Sequence, residues 1–319
     1  MPVTRDEVIL GYKLFLGREP ESELVIQNHM QCDNIDALRK RFLSSAEFSA
    51  KVPIASRGAA FFAQAPRLEV DTVASGHEVS QIIDKVRETW THLGVTKPHW
   101  SVLTNEKYLP QNLDGTIDQF WASGERNAAQ LEGILARHDS RPLSTMSCID
   151  YGCGVGRVTI PLARKFAHVY GYDISSAHLS LARKHAEEGG FDNITYHLCS
   201  ETFLDQLNDC DVFYSLIVFQ HNPPPIISIL IANALRSLKP GGIAVFQVPI
   251  YRKNYRFKTS EWLNTEHDLK MQMHCLPQQH IFSIVGKERS DVLEVWEVVN
   301  GDQKNPFISN IFVIRKSTD

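Results

Sequence analysis

The sequence predicts an α/β fold: a doubly wound, mostly parallel sheet with an antiparallel last strand, preceded by a small helical domain. Three observations predict it. From Cys148 onward, short apolar runs alternate with amphipathic helical patterns, the order that builds a parallel sheet covered on both faces. The stretch Cys148-Ile149-Asp150-Tyr151-Gly152-Cys153-Gly154-Val155-Gly156-Arg157 sets alternate glycines between an apolar run ending in an acid and a helical pattern. The first fifty residues carry their own helix caps and stops.

Taken in order, Thr4-Arg5-Asp6-Glu7 is a capping box, with Thr4 as cap and Glu7 reaching back to its N–H. A helix should run to about Leu16. Gly17 is a natural stop, and Pro20 prevents continuation. A second helix is expected over about 21–29. A third follows the Asn34 cap, with Ile35, Leu38 and Phe42 on one face. Residues 51–75 hold prolines and little periodicity and read as a linker. The segment 77–93 is amphipathic, with Val79, Ile82, Val86, Trp90 and Leu93 in one stripe. Residues 94–119 read as loop, with Trp100 and Tyr108 either packing it down, the favoured reading, or lining a substrate mouth. A helix running to about His138 follows Phe120-Trp121-Ala122-Ser123-Gly124-Glu125, where Ser123 is a candidate cap. Strands are expected near 148–151, 169–173, 194–199, 211–216 and 243–249. Two further runs, Val292–Val299 and Ile308–Arg315, should form the antiparallel end of the sheet. Ser175 or Ser176 should cap the helix after the second strand. Lys239-Pro240-Gly241-Gly242 reads as a turn, and 250–275 as a polar and aromatic insertion. The implied organisation is a helical module at 1–65, a linker and cap helix at 66–125, and the sheet domain at 126–319.

Composition narrows the function. The chain has 319 residues, 22% charged and 43% hydrophobic, with a net charge of −4. Those values suit a soluble globular protein and give no global attraction to nucleic acid or anionic membrane. No apolar run approaches the roughly 20 residues of a membrane span. The six cysteines show no C-x-x-C pair and no metal spacing, so no metal is expected. Free thiols in strands and a charged first turn point to the cytoplasm.

The glycine spacing selects among nucleotide ligands. Glycine permits positive φ and close ligand approach, and free N–H groups at the next helix start can face the ligand. The second strand ends at Asp173, about 20 residues beyond Gly152, where an acid takes ribose hydroxyls. The dinucleotide fingerprint G-x-G-x-x-G keeps a third glycine where this chain has Arg157. The order here, an acid followed by G-x-G-x-G, resembles motif I of class I S-adenosylmethionine (SAM)-dependent methyltransferases. The "LKPGG" turn before the fifth strand resembles the same family. The resemblance implies a Rossmann-like fold, SAM as cofactor, and cofactor contacts from Asp150, Gly152, Cys153, Gly154, Gly156, Arg157, Asp173 and Ile174. It places adenine beside Ser200 or Glu201 and the methionine moiety at Ser215 and Leu216. It also implies that Trp121 and Gly124 lie over the cofactor. A nicotinamide-dependent oxidoreductase is the rival enzyme class, disfavoured by Arg157. A non-catalytic binding module is the rival without chemistry.

His221, just past the fourth strand, is the candidate base for taking a proton from a hydroxyl acceptor, with a structural role as the alternative. His274 is the second candidate. Gln220-His221-Asn222-Pro223-Pro224-Pro225 is not the N-P-P-aromatic motif of amino-group methyltransferases, because it lies beyond the strand end and its fourth residue is Pro225. Tyr251, Arg252 and Asn310 are candidate acceptor contacts. The phrases Leu16-Gly17-Arg18-Glu19-Pro20 and Phe42-Leu43-Ser44-Ser45-Ala46-Glu47-Phe48 resemble helical modules attached to bacterial cell-surface glycan-synthesis enzymes. That resemblance implies O-methylation of a glycan or small metabolite, and a glycan-synthesis partner docking on the N-terminal helices.

Overall fold

The computed structural model of the chain describes residues 3–45, 47–48, 67–199, 207–298 and 307–318. It divides into two units, Met1–Arg67 and Leu68–Asp319.

In the first unit, α1 (Arg5–Gly11) opens on the expected capping box, with the Thr4 N–H donating to the Glu7 carboxylate at 2.8 Å. It continues as one π-helical turn, Tyr12–Leu16, and stops at Gly17 with φ +66°. The helices α2 (Glu23–Met30) and α3 (Ile35–Leu43) are capped by Ser22 and Asn34. Val8, Tyr12, Leu16, Ile26, Leu38 and Phe42 form the core between them. Ile35 does not join Leu38 and Phe42 as expected; it is half exposed at the first turn of α3. Arg18 clamps the unit by donating to both Glu47 oxygens, at 2.7 and 2.6 Å.

In the second unit, α4 (Gly76–Thr96) turns the Ile82, Val86 and Leu93 stripe inward. Next comes α5 (Ile117–Leu135). It starts upstream of Ser123, so the expected cap there is corrected: Ser123 sits inside the helix and donates to Phe120 O. The stretch before α5 is less open than expected. It holds a short helix, Pro98–Val102, and two 3-10 turns, and Tyr108 packs edge-on against Phe120.

The sheet contains β1 (Ser147–Tyr151), β2 (His168–Asp173), β3 (Ile194–Leu198), β4 (Cys210–Ser215), β5 (Leu238–Arg252), β6 (Ser290–Val298) and β7 (Phe307–Lys316). Their spatial order is β3-β2-β1-β4-β5-β7-β6. The first five run parallel; β7 is antiparallel to β5, and β6 to β7. The strands came where the hydrophobic runs put them. The exception is the expected turn at Lys239–Gly242, which lies within the long β5 beside a register shift opposite Cys210 and Val212. The helices α6 (Thr159–Ala163), α7 (Ser176–Glu188), α8 (Pro224–Arg236) and α9 (Gln278–Lys287) complete the unit. Ser175, not Ser176, caps α7.

One side of the sheet packs Leu131, Leu135, Leu162 and Phe166 against Cys148, Val169, Val212, Val245 and Val313. An aromatic row, Phe213, Phe219, Phe246 and Phe312, crosses the strands with centroid spacings of 6.4, 5.6 and 5.6 Å. Strand order reverses between β1 and β4, and in such sheets a ligand crevice opens beyond the strand ends at that point.

Candidate functional site

A cavity enclosing about 890 Å³, counting the part open to solvent, lies at that crevice. The turn after β1 forms its floor. Gly152 and Gly154 have φ of +75° and +55°, which side chains rarely tolerate. A Cβ on Gly152 would stand 2.3 Å from Val218, and one on Gly154 2.6 Å from Val102. The N–H groups of Gly152 and Cys153 donate to Tyr172 O, which fixes the turn on β2.

Asp173 accepts from the Gly154 N–H with one oxygen and from the Ser175 N–H with the other, both at 2.8 Å. Each carboxylate oxygen keeps a second lone pair for a ligand hydroxyl. Asp150 is buried and accepts from the Thr159 hydroxyl at 2.6 Å; burial raises its pKa to about 6. Arg157 is buried too, and burial lowers the pKa of its guanidinium. Its Nη1 donates to Ser123 Oγ and Asn127 Oδ1 at 3.0 and 2.8 Å. The helix α5 can approach this closely because residue 124 is glycine: a Cβ there would stand 1.9 Å from Arg157 O.

Three buried atoms on the cavity wall have no hydrogen-bond partner: Arg157 Nε, Tyr214 Oη and His178 Nδ1. His178 Nε2 lies 2.9 Å from Ser101 Oγ, whose own proton goes to Pro98 O. The imidazole therefore donates through Nε2, and its Nδ1 faces Asp173 Oδ1 at 3.5 Å, beyond hydrogen-bond reach. Buried polar atoms without partners are rare, and three around one cavity mark places where a ligand would supply the missing bonds.

Of the residues expected from sequence, Asp150, Gly152, Cys153, Gly154, Arg157, Asp173, Ile174 and Leu216 line this cavity. Gly156 does not; its N–H closes the turn on Cys153 O. Ser215 is buried, and its hydroxyl donates to Tyr151 O, holding the ends of β1 and β4 together. Ser200 and Glu201 lie outside the described residues, and Cys199 before them lines the wall. Sequence reasoning missed Trp90, Ser101, His178 and Tyr214. Trp90 reads in the sequence only as part of an apolar stripe, and the others carry no motif.

A second cavity of about 310 Å³, counting the part open to solvent and with free room for about one water, shares Val86 and Trp90 with the first and is lined by both candidate histidines. His221 Nδ1–H donates to Gln272 O at 2.8 Å, and its Nε2 lies 3.2 Å from the Gln220 amide nitrogen. Its ring stands edge-on to Trp90, centroids 5.2 Å apart. His274 donates its backbone N–H to Gln220 O, and its Nδ1 lies 2.9 Å from Tyr255 Oη. Burial lowers the pKa of His221 to about 4 and that of His274 to about 3. Tyr251, Arg252 and Asn310 line neither cavity. Tyr251 and Arg252 are paired in the β5–β7 ladder, and Asn310 is buried in β7 opposite Val248. Among the described residues, no group of three or more His, Cys, Asp or Glu side chains is placed to hold a metal, and no helix is long and apolar enough to cross a membrane.

The sheet, mostly parallel with an antiparallel last strand, is a Rossmann-like fold of the kind found in methyltransferases. Residues 148–242 match a family described as a methyltransferase domain, a family that uses SAM. Magnesium protoporphyrin IX methyltransferase from Synechocystis PCC 6803, solved with bound SAM, is similar in fold: TM-score 0.52 at 18% identity, covering 78% of this chain and 100% of that one. The same enzyme with bound SAH aligns at TM-score 0.52 and 19% identity, covering 74% and 99%. No curated protein sequence matches the chain.

Proposed function

We propose that the chain is a SAM-dependent methyltransferase that binds its cofactor in the first cavity and methylates an oxygen of a small metabolite or glycan. The observation that carries this reading is the set of unfilled bonds around the glycine turn. Asp173 keeps lone pairs for two ribose hydroxyls. Arg157 Nε and Tyr214 Oη are two buried donors without partners, on residues that line the same cavity, suited to a carboxylate such as that of a methionine tail. The dinucleotide pattern keeps a third glycine for close packing of helix on strand, and this chain has Arg157 in that place. When bound, SAM supplies an electrophilic methyl group; the chain supplies alignment and a wall against water.

Leu216 and Val218 border the cavity at the end of β4, on the way to His221 and the second cavity. A base with a pKa near 4 gives little driving force for removing a hydroxyl proton at neutral pH. We therefore assign His221 to positioning Trp90, and His274 to holding Tyr255. The N-terminal helical unit, by its resemblance to glycan-synthesis modules, is assigned to docking a partner.

Calorimetry tests the cofactor assignment. SAM or SAH should bind with micromolar affinity, and NAD should give no heat. Tight NAD binding without SAM binding would return the site to the oxidoreductase class.

A further inference from the structure

We infer that Ile217 determines acceptor specificity: the methyl acceptor is a neutral hydroxyl compound whose apolar part rests on Ile217 at the rim of the first cavity. This deepens the methyltransferase reading and rests on it.

Ile217 is strained. Its φ is +62°, and it is the β-branched member of the four non-glycine residues with positive φ among the described residues. A branched side chain crowds the backbone in that region, and outliers of this kind cluster at active sites and ligand clamps. Burial does not account for it. Ile217 is 39% exposed, just past β4, whose residues are all buried. Glycine or asparagine would take the same backbone with less strain. Strain and exposure both count against isoleucine here, and a contact made only with a ligand would favour it.

Its position suits an acceptor. On the cofactor reading, Asp173 holds the ribose and Arg157 with Tyr214 the carboxylate, so the sulfonium lies between them, over the glycine turn. Val218 stands against that turn, 2.3 Å from where a Cβ on Gly152 would be. Ile217, the residue before it, lines the same cavity and is open to solvent. An acceptor need not fill the cavity to reach the methyl group; its reacting end has only to come over this rim.

The lining selects the chemistry. Val86, Trp90 and Val102, from α4 and the short helix after it, and Leu216, Ile217 and Val218, from the end of β4, line the cavity without a charge. A charged acceptor there would lose water beside side chains that cannot pair with it. Asn222 also lines the cavity, half-buried. Its Nδ2 donates to Val218 O at 3.1 Å, and a carbonyl only accepts, so the orientation of the amide is fixed. Its Oδ1 has no partner among the described residues and can accept from a hydroxyl. In the transfer the hydroxyl oxygen forms the bond to the methyl carbon, and the carbon–sulfur bond breaks with its electron pair staying on sulfur. The hydroxyl proton passes to water at the open rim, leaving a methyl ether and a neutral thioether. A phenol gives up that proton most readily, with a pKa near that of tyrosine, about 10.

The test measures SAH released by the full chain supplied with SAM. Naphthol, phenol and cyclohexanol are compared with methyl glucoside, benzylamine and benzoate. At least one of the first three should give its methyl ether, with kcat/KM about tenfold or more above each of the others. Ile217→Asn should raise KM for that compound about tenfold or more while SAH affinity holds, and its melting temperature should rise as the strain is relieved. Ile217→Val should keep the low KM. The inference is overturned if none of the three hydroxyl compounds is methylated, or if the sugar, amine or acid serves as well. It is also overturned if Ile217→Asn leaves KM unchanged, or lowers the melting temperature, which would make Ile217 a structural residue. Failure to bind SAH at all is a separate result and defeats the methyltransferase reading itself.

Discussion

Arg157 holds a buried positive charge against two neutral oxygens, those of Ser123 and Asn127. Such a charge costs stability unless a partner arrives. Arg157→Met should therefore weaken SAM binding by roughly 1.5–3 kcal/mol, the range for bonds to a charged group, while leaving the melting temperature of the unliganded protein little changed. Calorimetry and a thermal scan on the same variant check both halves. The buried histidines make a second prediction. Their folded pKa values, about 4 and about 3, lie below the ordinary value near 6.5, so the folded state favours the neutral rings. The stability they contribute is complete above about pH 6.5 and is lost as pH falls toward 4. Asp150, raised to about 6, works in the opposite direction over the same window and offsets part of the loss. Denaturant midpoints should fall from pH 6.5 to 4, and His221→Gln should flatten that slope. At this scale the glycine turn and Asp173 were legible because backbone geometry demands particular residue types there. His178 and Tyr214 were not. Their significance lies in what they lack after folding, a partner, and no local pattern records that.

At the scale of elements, α5 depends on the contact of Gly124 with the turn after β1. A methyl group at Gly124 would collide with a backbone oxygen, which cannot swing aside as a side chain can. Gly124→Ala should destabilise the protein by about 1–3 kcal/mol and weaken SAM binding through the displaced Arg157. A denaturant titration beside calorimetry would show whether the two losses travel together. Strand positions were legible from apolar runs, and helix starts from caps at Thr4, Asn34 and Ser175. The start of α5 was not, because Ser123 imitates a cap. Its hydroxyl, donating to Phe120 O and accepting from Arg157, serves the site. The extent of β5 was also hidden. Pro240 and two glycines look like a turn, yet antiparallel pairing with β7 from Ile243 to Arg252 carries the strand on.

At the scale of the whole molecule, each unit has its own core, the first built on Phe42 and Tyr12 and the second on the sheet. A chain beginning at Leu68 should fold cooperatively and bind SAM within about threefold of the full chain. Keeping Leu68 matters because Glu69 and Val70 pair with Arg256 and Phe257. Circular dichroism melts and calorimetry on the shortened chain check this, and loss of folding would make the helical unit part of the enzyme's core.

The two cavities draw on different stretches of chain. The first is lined mostly by residues from 150 to 222, and the second mostly by residues from 262 to 274, with Val86 and Trp90 common to both. The two cavities can thus diverge separately. Drift or exchange in the segment after β5 can reshape the second cavity without altering the glycine turn, and Trp90, common to both, limits that divergence. Descendants of this chain whose second cavity has changed should differ first between 253 and 274, and should keep a large flat side chain at position 90.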